Sequence, residues 1–142
     1  MLMWRYSCEV WGVAHHFEFD FRNRILLVVL EGEVRGEEMV SINDDIRKHV
    51  ESFHPLAGIS DFTDITKFNV PSHSMRTAAL EPSPYPEETP RYIVAPSDYL
   101  FGMARMYEMI ADRPEGKLRV VRTREEALAG IGVRDGKFER LG

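Results

Sequence analysis

Phe17, Phe19 and Phe21 alternate with Glu18, Asp20 and Arg22, the period-two pattern of a strand with one apolar and one wet face. Ile25 to Leu30 (ILLVVL) is apolar without alternation, as expected of a central strand covered on both faces. Asn23 and Arg24 between them form a tight turn, which predicts an antiparallel hairpin. The period then changes from two to 3.6. Gly32 and Gly36 flank a short connection, and Glu37 and Glu38 sit where a helix start favours acids. Met39, Ile42, Ile46, Val50 and Phe53 mark the buried stripe of a helix running to about Ser52, closed by Pro55 and Gly58. Ile59 to Ile65 (ISDFTDI) predicts a strand interrupted by Asp61 and Asp64, followed by a short helix over Ser72 to Leu80. Glu81 to Pro90 holds four prolines in ten residues, a stiff extended segment that cannot join a central strand.

The clearest signal lies between Pro90 and Thr123. Tyr92 to Ala95 is a short apolar run stopped by Pro96. Ser97 offers an N-cap oxygen, and Asp98 puts negative charge in the first turn. Leu100, Met103, Ala104, Tyr107, Ile110 and Ala111 recur at helical spacing. Pro114 and Gly116 end that helix, and Leu118, Val120 and Val121 begin another strand. Two strands joined by one helix are most simply parallel. Thr123 with Glu126 forms a capping box that opens a last helix through about Ala129, and Asp135-Gly136 marks a turn in a C-terminal tail. The order is hairpin, helix, strand, helix, strand, helix, strand, helix. It predicts an α/β domain: a mixed sheet of four to five strands with helices packed mainly on one side. The domain spans 15–132, with an N-terminal extension at 1–14 and a tail at 133–142. In the extension, Trp4, Tyr6 and Trp11 are candidates to cover a sheet edge or dock on a neighbouring subunit.

The chain's 142 residues suffice for one core without disulfides. A net charge of −5 with no dense Lys/Arg cluster argues against nucleic acid and anionic membranes as partners. The single cysteine, Cys8, excludes an intrachain disulfide, and no apolar run approaches the ~18 residues of a membrane span. A cytoplasmic location is expected.

The element order, DFTDITKFNVPS (Asp61 to Ser72), IVAPSD…GMARMYEMIA (Ile93 to Ala111) and VVRTREEAL (Val120 to Leu128) together resemble the STAS fold, in particular its uncharacterised SpoIIAA-like branch of small bacterial proteins. The resemblance spans roughly His16 to Ile131. It implies a non-enzymatic role in protein partnership or ligand sensing. Anti-sigma-factor antagonists of that family carry an Asp-Ser-Ser-Gly turn after the third strand, where a kinase phosphorylates one serine. The matching run here is Asn69-Val70-Pro71-Ser72. Val70 and Pro71 take the serine positions, so the resemblance does not carry the switch over.

Other constellations are weak. Ser72, His73 and Ser74 with Asp61 or Asp64 invite a triad, but neighbouring helix residues diverge and no nucleophile elbow exists. His15, His16, His49, His54 and His73 have no zinc-type spacing. No glycine pattern matches a phosphate-binding loop, and no cofactor is expected. The leading reading is a regulatory, protein-binding homodimer. Its interaction surface is Asp64, Asn69, Ser72, Ser74 and Arg76, where Asn69 and Ser72 would cap the helix and Arg76 would receive an acidic group. The alternative is a binder of a small apolar ligand, by analogy with the SEC14-type fold. Tyr99, Phe101, Met103, Met106 and Met109 would then line a pocket of at least ~300 Å³, or otherwise form a dimer surface.

Overall fold

A computed structural model describes residues 14–111 and 117–142. Trp4, Tyr6 and Trp11 of the extension, and the helix-ending Pro114 and Gly116, lie outside the described residues. Strands β1 (Ala14–Asp20) and β2 (Ile25–Arg35) form the hairpin, paired antiparallel from Ala14↔Glu31 to Asp20↔Ile25. Helix α1 (Gly36–Phe53) leads to β3 (Ala57–Asn69). Helix α2 (Ser72–Leu80), β4 (Arg91–Val94), α3 (Asp98–Ala111), β5 (Leu118–Val121), α4 (Arg124–Ile131) and β6 (Glu139–Arg140) complete the order. The strands lie as β5-β4-β3-β2-β1-β6, with β2 to β5 mutually parallel.

Among the described residues the sheet has six strands rather than the expected four to five. The additional strand is β6, whose Glu139 and Arg140 pair with Phe19 and Glu18. Two residues are too few to show alternation, and both side chains are exposed. The residues expected as a tail thus contribute an edge strand.

The sheet is packed unequally on its two faces. On one, Phe17, Phe19, Leu26, Val28 and Leu30 meet Ile42, Ile46 and Val50 of α1, Met75 and Ala79 of α2, and Leu100, Ala104 and Tyr107 of α3. On the other, Ile25, Leu27, Val29, Ile59 and Val94 meet little more than Ala127 of α4 and the partly buried Leu128, Val133 and Phe138. Thus ILLVVL is buried on both faces, as its lack of alternation requires. Helix α4 has both ends fixed. Thr123 Oγ1 accepts from the Glu126 N–H at 3.1 Å, and Gly132 closes the helix at φ +93°.

Two buried carboxylates stand on the thinly covered face. Asp20, 0% exposed, clamps the hairpin turn. Its Oδ1 accepts from the N–H groups of Arg22 (3.0 Å) and Asn23 (2.9 Å), and its Oδ2 from Asn23 Nδ2 (2.8 Å) and Lys137 N (3.1 Å). Burial disfavours its charge, but these hydrogen bonds outweigh burial and hold the carboxyl below its ordinary pKa. Asp61, 4% exposed, accepts from Arg124 Nε (3.1 Å) and Nη2 (2.7 Å) through Oδ2 and from Thr63 N (2.9 Å) through Oδ1. The residue that interrupts the apolar pattern of β3 therefore ties α4 to the sheet.

Candidate interaction surface

β2 and β3 run past the shorter β4 and β5, which have four residues each. β3 spends 13 residues where β2 spends 11. The two-residue excess is absorbed at register shifts after Val29 and after Gly32, the latter at φ +76°, a backbone state glycine adopts without steric cost. The extension ends with Arg35 opposite Asn69, where α1 and α2 begin side by side. A Cβ at Gly36 would lie 2.7 Å from Ser74 Oγ; only glycine lets the two helix starts approach so closely.

The cap of α2 differs from the expectation. Pro71 is the N-cap, with φ −61° and ψ 153°, and no side chain caps the helix. Asn69 is the last residue of β3, and Ser72 is the first helical residue, so neither occupies the cap position. The turn is set instead by Val70, buried at 6% exposure, and by the ring of Pro71, whose fixed φ suits a helix entry. Pro71 O accepts from Ser74 N (3.0 Å) and Met75 N (3.1 Å). Asn69, Ser72, His73 and Arg76 are exposed, while Ser74 is partly buried against α1. Ser72 and Arg76, four residues apart, share one helix face. Asp64 stands apart: it lies five residues before Asn69 along β3, roughly 16 Å away in an extended strand, opposite Glu31. The structure therefore gathers Asn69, Ser72, Ser74 and Arg76 and leaves Asp64 outside.

The catalytic constellation is not assembled among the described residues. Asp61 is engaged by Arg124 and Thr63, and His73 is exposed on α2. His15 and His16 diverge to opposite faces. His15 Nε2 lies 3.0 Å from Asp45 Oδ2 of α1, and His16 lies between Glu18 (2.7 Å) and Glu31 (3.3 Å). His49 stacks on Phe17 with ring centroids 3.9 Å apart.

The proposed pocket residues lie along α3. Tyr99 and Met109 are exposed at 60% and 74%, while Phe101, Met103 and Met106 pack partly against the large core. Arg122 covers the Phe101 ring from 4.0 Å and pairs with Asp98 Oδ1 at 2.8 Å. None of the five lines the cavity beneath the helices. That cavity, about 60 Å³, is bounded by Asn43, Ser60, Phe62, Tyr85, Arg91 and Tyr107 among others, and is far below the ~300 Å³ a small-molecule site requires. Tyr85 is one of the side chains that line this small cavity. This side chain enters from the proline-rich segment, where a Cβ at Gly58 would lie 2.2 Å from its hydroxyl. Burial pushes the Tyr85 phenol well above its ordinary pKa, with the Arg91 charge opposing. A glycine at the start of a buried strand is the one sequence signal for such a close approach.

No family model matches the chain, and no curated protein matches it. Solved structures do. The unphosphorylated form of the anti-sigma factor antagonist SpoIIAA superposes with a TM-score of 0.51 at 16% identity, over 84% of this chain and 98% of that one. An uncharacterised protein of the DUF3478 family from Shewanella loihica PV-4, described as having a SpoIIAA-like fold, gives 0.54 at 11% identity, over 84% and 94%. Identities this low speak for architecture alone, and on that architecture the chain has a SpoIIAA-like fold of the STAS type.

Proposed function

We propose that the chain is a non-catalytic regulatory domain that binds another protein at the tip where β2 and β3 pass into α1 and α2. The observation that supports this reading is the start of α2, which has no side-chain cap and carries exposed Asn69, Ser72 and Arg76. Free N–H groups in a first turn favour an acidic group, and Arg76 adds a cation four residues along from Ser72. Ser74 belongs to the margin of this surface, and Asp64 lies outside it. The turn has Val70 and Pro71 where the antagonists have serines, so release by phosphorylation at those two positions is not part of the reading. Two copies of the chain would associate through Tyr99, Phe101, Met103, Met106 and Met109 of α3, in the cytoplasm.

The test is partner capture on immobilised chain. Asn69→Ala combined with Ser72→Glu is expected to lower capture at least tenfold, while Glu125→Ala on α4 leaves it unchanged. Equal capture by all three baits overturns this surface. Native mass spectrometry of the purified chain reads the dimer directly.

A further inference from the structure

The cavity of about 60 Å³ has a floor placed by strand register. In the β3–β4 ladder Gly58 lies opposite Arg91 and Ser60 opposite Ile93, and residues two apart on a strand share a face. Ile93 belongs to the core under the three helices, so Gly58, Ser60 and Arg91 turn toward those helices as well. Asn43 bounds the cavity from α1, next to the buried Ile42 and close to Ile46. Tyr85 enters from the proline-rich segment, and its hydroxyl stands over Gly58.

Buried polar side chains are nearly always hydrogen-bonded. Tyr85 is 7% exposed, yet among the described residues its hydroxyl has no hydrogen-bond partner, and its phenol responds only to burial and to the Arg91 charge. Ser60 Oγ and the Asn43 amide also have no partner among the described residues. All three groups can donate, and the only further polar side chain beside them with a charge, Arg91, can do nothing else. Arg91 is engaged elsewhere as well, so it is not needed as a direct ligand. Its charge still reaches the site: its Cζ lies 5.6 Å from the Tyr85 ring centroid, and it opposes the burial that raises the phenol. No Asp or Glu is among the described residues that line the cavity. A space rich in donors and poor in acceptors, walled by Leu30, Ile46 and Met75, suits an acceptor group on a short apolar tail. Its volume equals roughly five water-sized spheres, room for about four or five non-hydrogen atoms, and excludes the larger ligands that need ~300 Å³.

We propose that this cavity binds a short-chain monocarboxylate of about two or three carbons. The Tyr85 hydroxyl, Ser60 Oγ and Asn43 Nδ2 donate to its oxygens, and Leu30, Ile46 and Met75 enclose its alkyl end. The site lies beneath the helices, apart from the exposed residues of the α2 tip, and neither reading depends on the other.

Sodium propionate titrated into the nitrogen-15-labelled full chain tests it by NMR, with sodium chloride holding the ionic strength constant. Saturable shifts are expected at the amides of Gly58, Ser60 and Tyr85. Tyr85→Phe keeps the ring and removes its donor, and is expected to weaken binding at least tenfold; the spectrum of the variant verifies its fold. Two further ligands leave the protein untouched. Propionamide, of the same size but uncharged, is expected to bind at least tenfold more weakly, and octanoate is expected to leave Gly58 and Ser60 unshifted. Any of four results overturns the proposal: no saturable shifts, shifts confined to residues outside the cavity, equal binding by Tyr85→Phe, or equal shifts at Gly58 and Ser60 from propionamide or octanoate.

Discussion

The two faces of the sheet are stabilised by different means. The face under α1, α2 and α3 is a continuous apolar layer, with Leu26, Val28 and Leu30 sealed beneath three helices. The face under α4 has a small apolar cluster, and its periphery is fastened by two buried carboxylates, Asp20 and Asp61. Apolar packing is diffuse, so its loss scales with the volume removed. Polar fastening is local, so one side chain controls the position of a whole element. The difference teaches that the C-terminal segment held by Asp20 answers to pH and α4 to a single polar substitution, while the three-helix layer answers to cavities.

That contrast can be broken in four ways. Leu26→Ala, at the centre of the thick layer, is expected to destabilise by about 3–5 kcal/mol in chemical denaturation. A loss below ~1 kcal/mol would mean that layer is loosely packed. Gly58→Ala drives a methyl into the Tyr85 ring and is expected to cost about 2–3 kcal/mol; Tyr85→Ala in the same chain should recover part of it. On the thin face, Asp61→Ala removes the shared acceptor of Arg124 and Thr63. The side chain of Arg124 is 38% exposed, so solvent takes up much of its charge, and a loss of about 1–2 kcal/mol is expected. Hydrogen exchange should show α4 loosening while α1 stays protected. Gly130→Ala gains about 1 kcal/mol of helix propensity but presses a methyl against the Tyr92 hydroxyl. A net loss is expected, of which Tyr92→Phe recovers only part, because the ring Cζ still lies 2.7 Å from the added methyl.

The pH dependence sharpens the same comparison. Asp20 titrates below its ordinary value of 3.8 when folded. A depressed carboxyl contributes stability that is fully present above the unfolded pKa and is lost as pH falls through the folded one. Denaturation midpoints of the wild type and Asp20→Asn should differ most near neutrality and converge as pH drops below 3.8. A constant gap would mean the Asp20 hydrogen bonds do not depend on charge.

Much of this architecture was legible from spacing. The hairpin, the stripes of α1 and α3 and the Thr123–Glu126 box are local patterns, each contained within one element, and each is found where the sequence places it. What escaped was nonlocal. The β3 strand runs to Asn69, beyond the expected Ile65, because its last residues pair with Glu33, Val34 and Arg35 of β2, and Asp61 is accommodated within it by Arg124, 63 residues away. β6 is invisible because its pairing partner is β1. At the α2 tip, Asn69 and Ser72 are typical capping residues by type, but burial of Val70 and the ring of Pro71 fixed the entry without them. Tyr85 was hidden in a segment whose prolines spoke only of stiffness.

The clamp between Asp20 and the backbone of Lys137 joins residues 117 positions apart. At synthesis rates of ~5–20 residues per second, the hairpin emerges on the order of ten seconds before the segment that seals its flank. During that interval a nascent chain carries β1 with an open margin and a carboxylate still short of one donor. Slowing of translation between residues 25 and 137 would lengthen this window, and with it the opportunity for a chaperone or a neighbouring chain to reach β1 first.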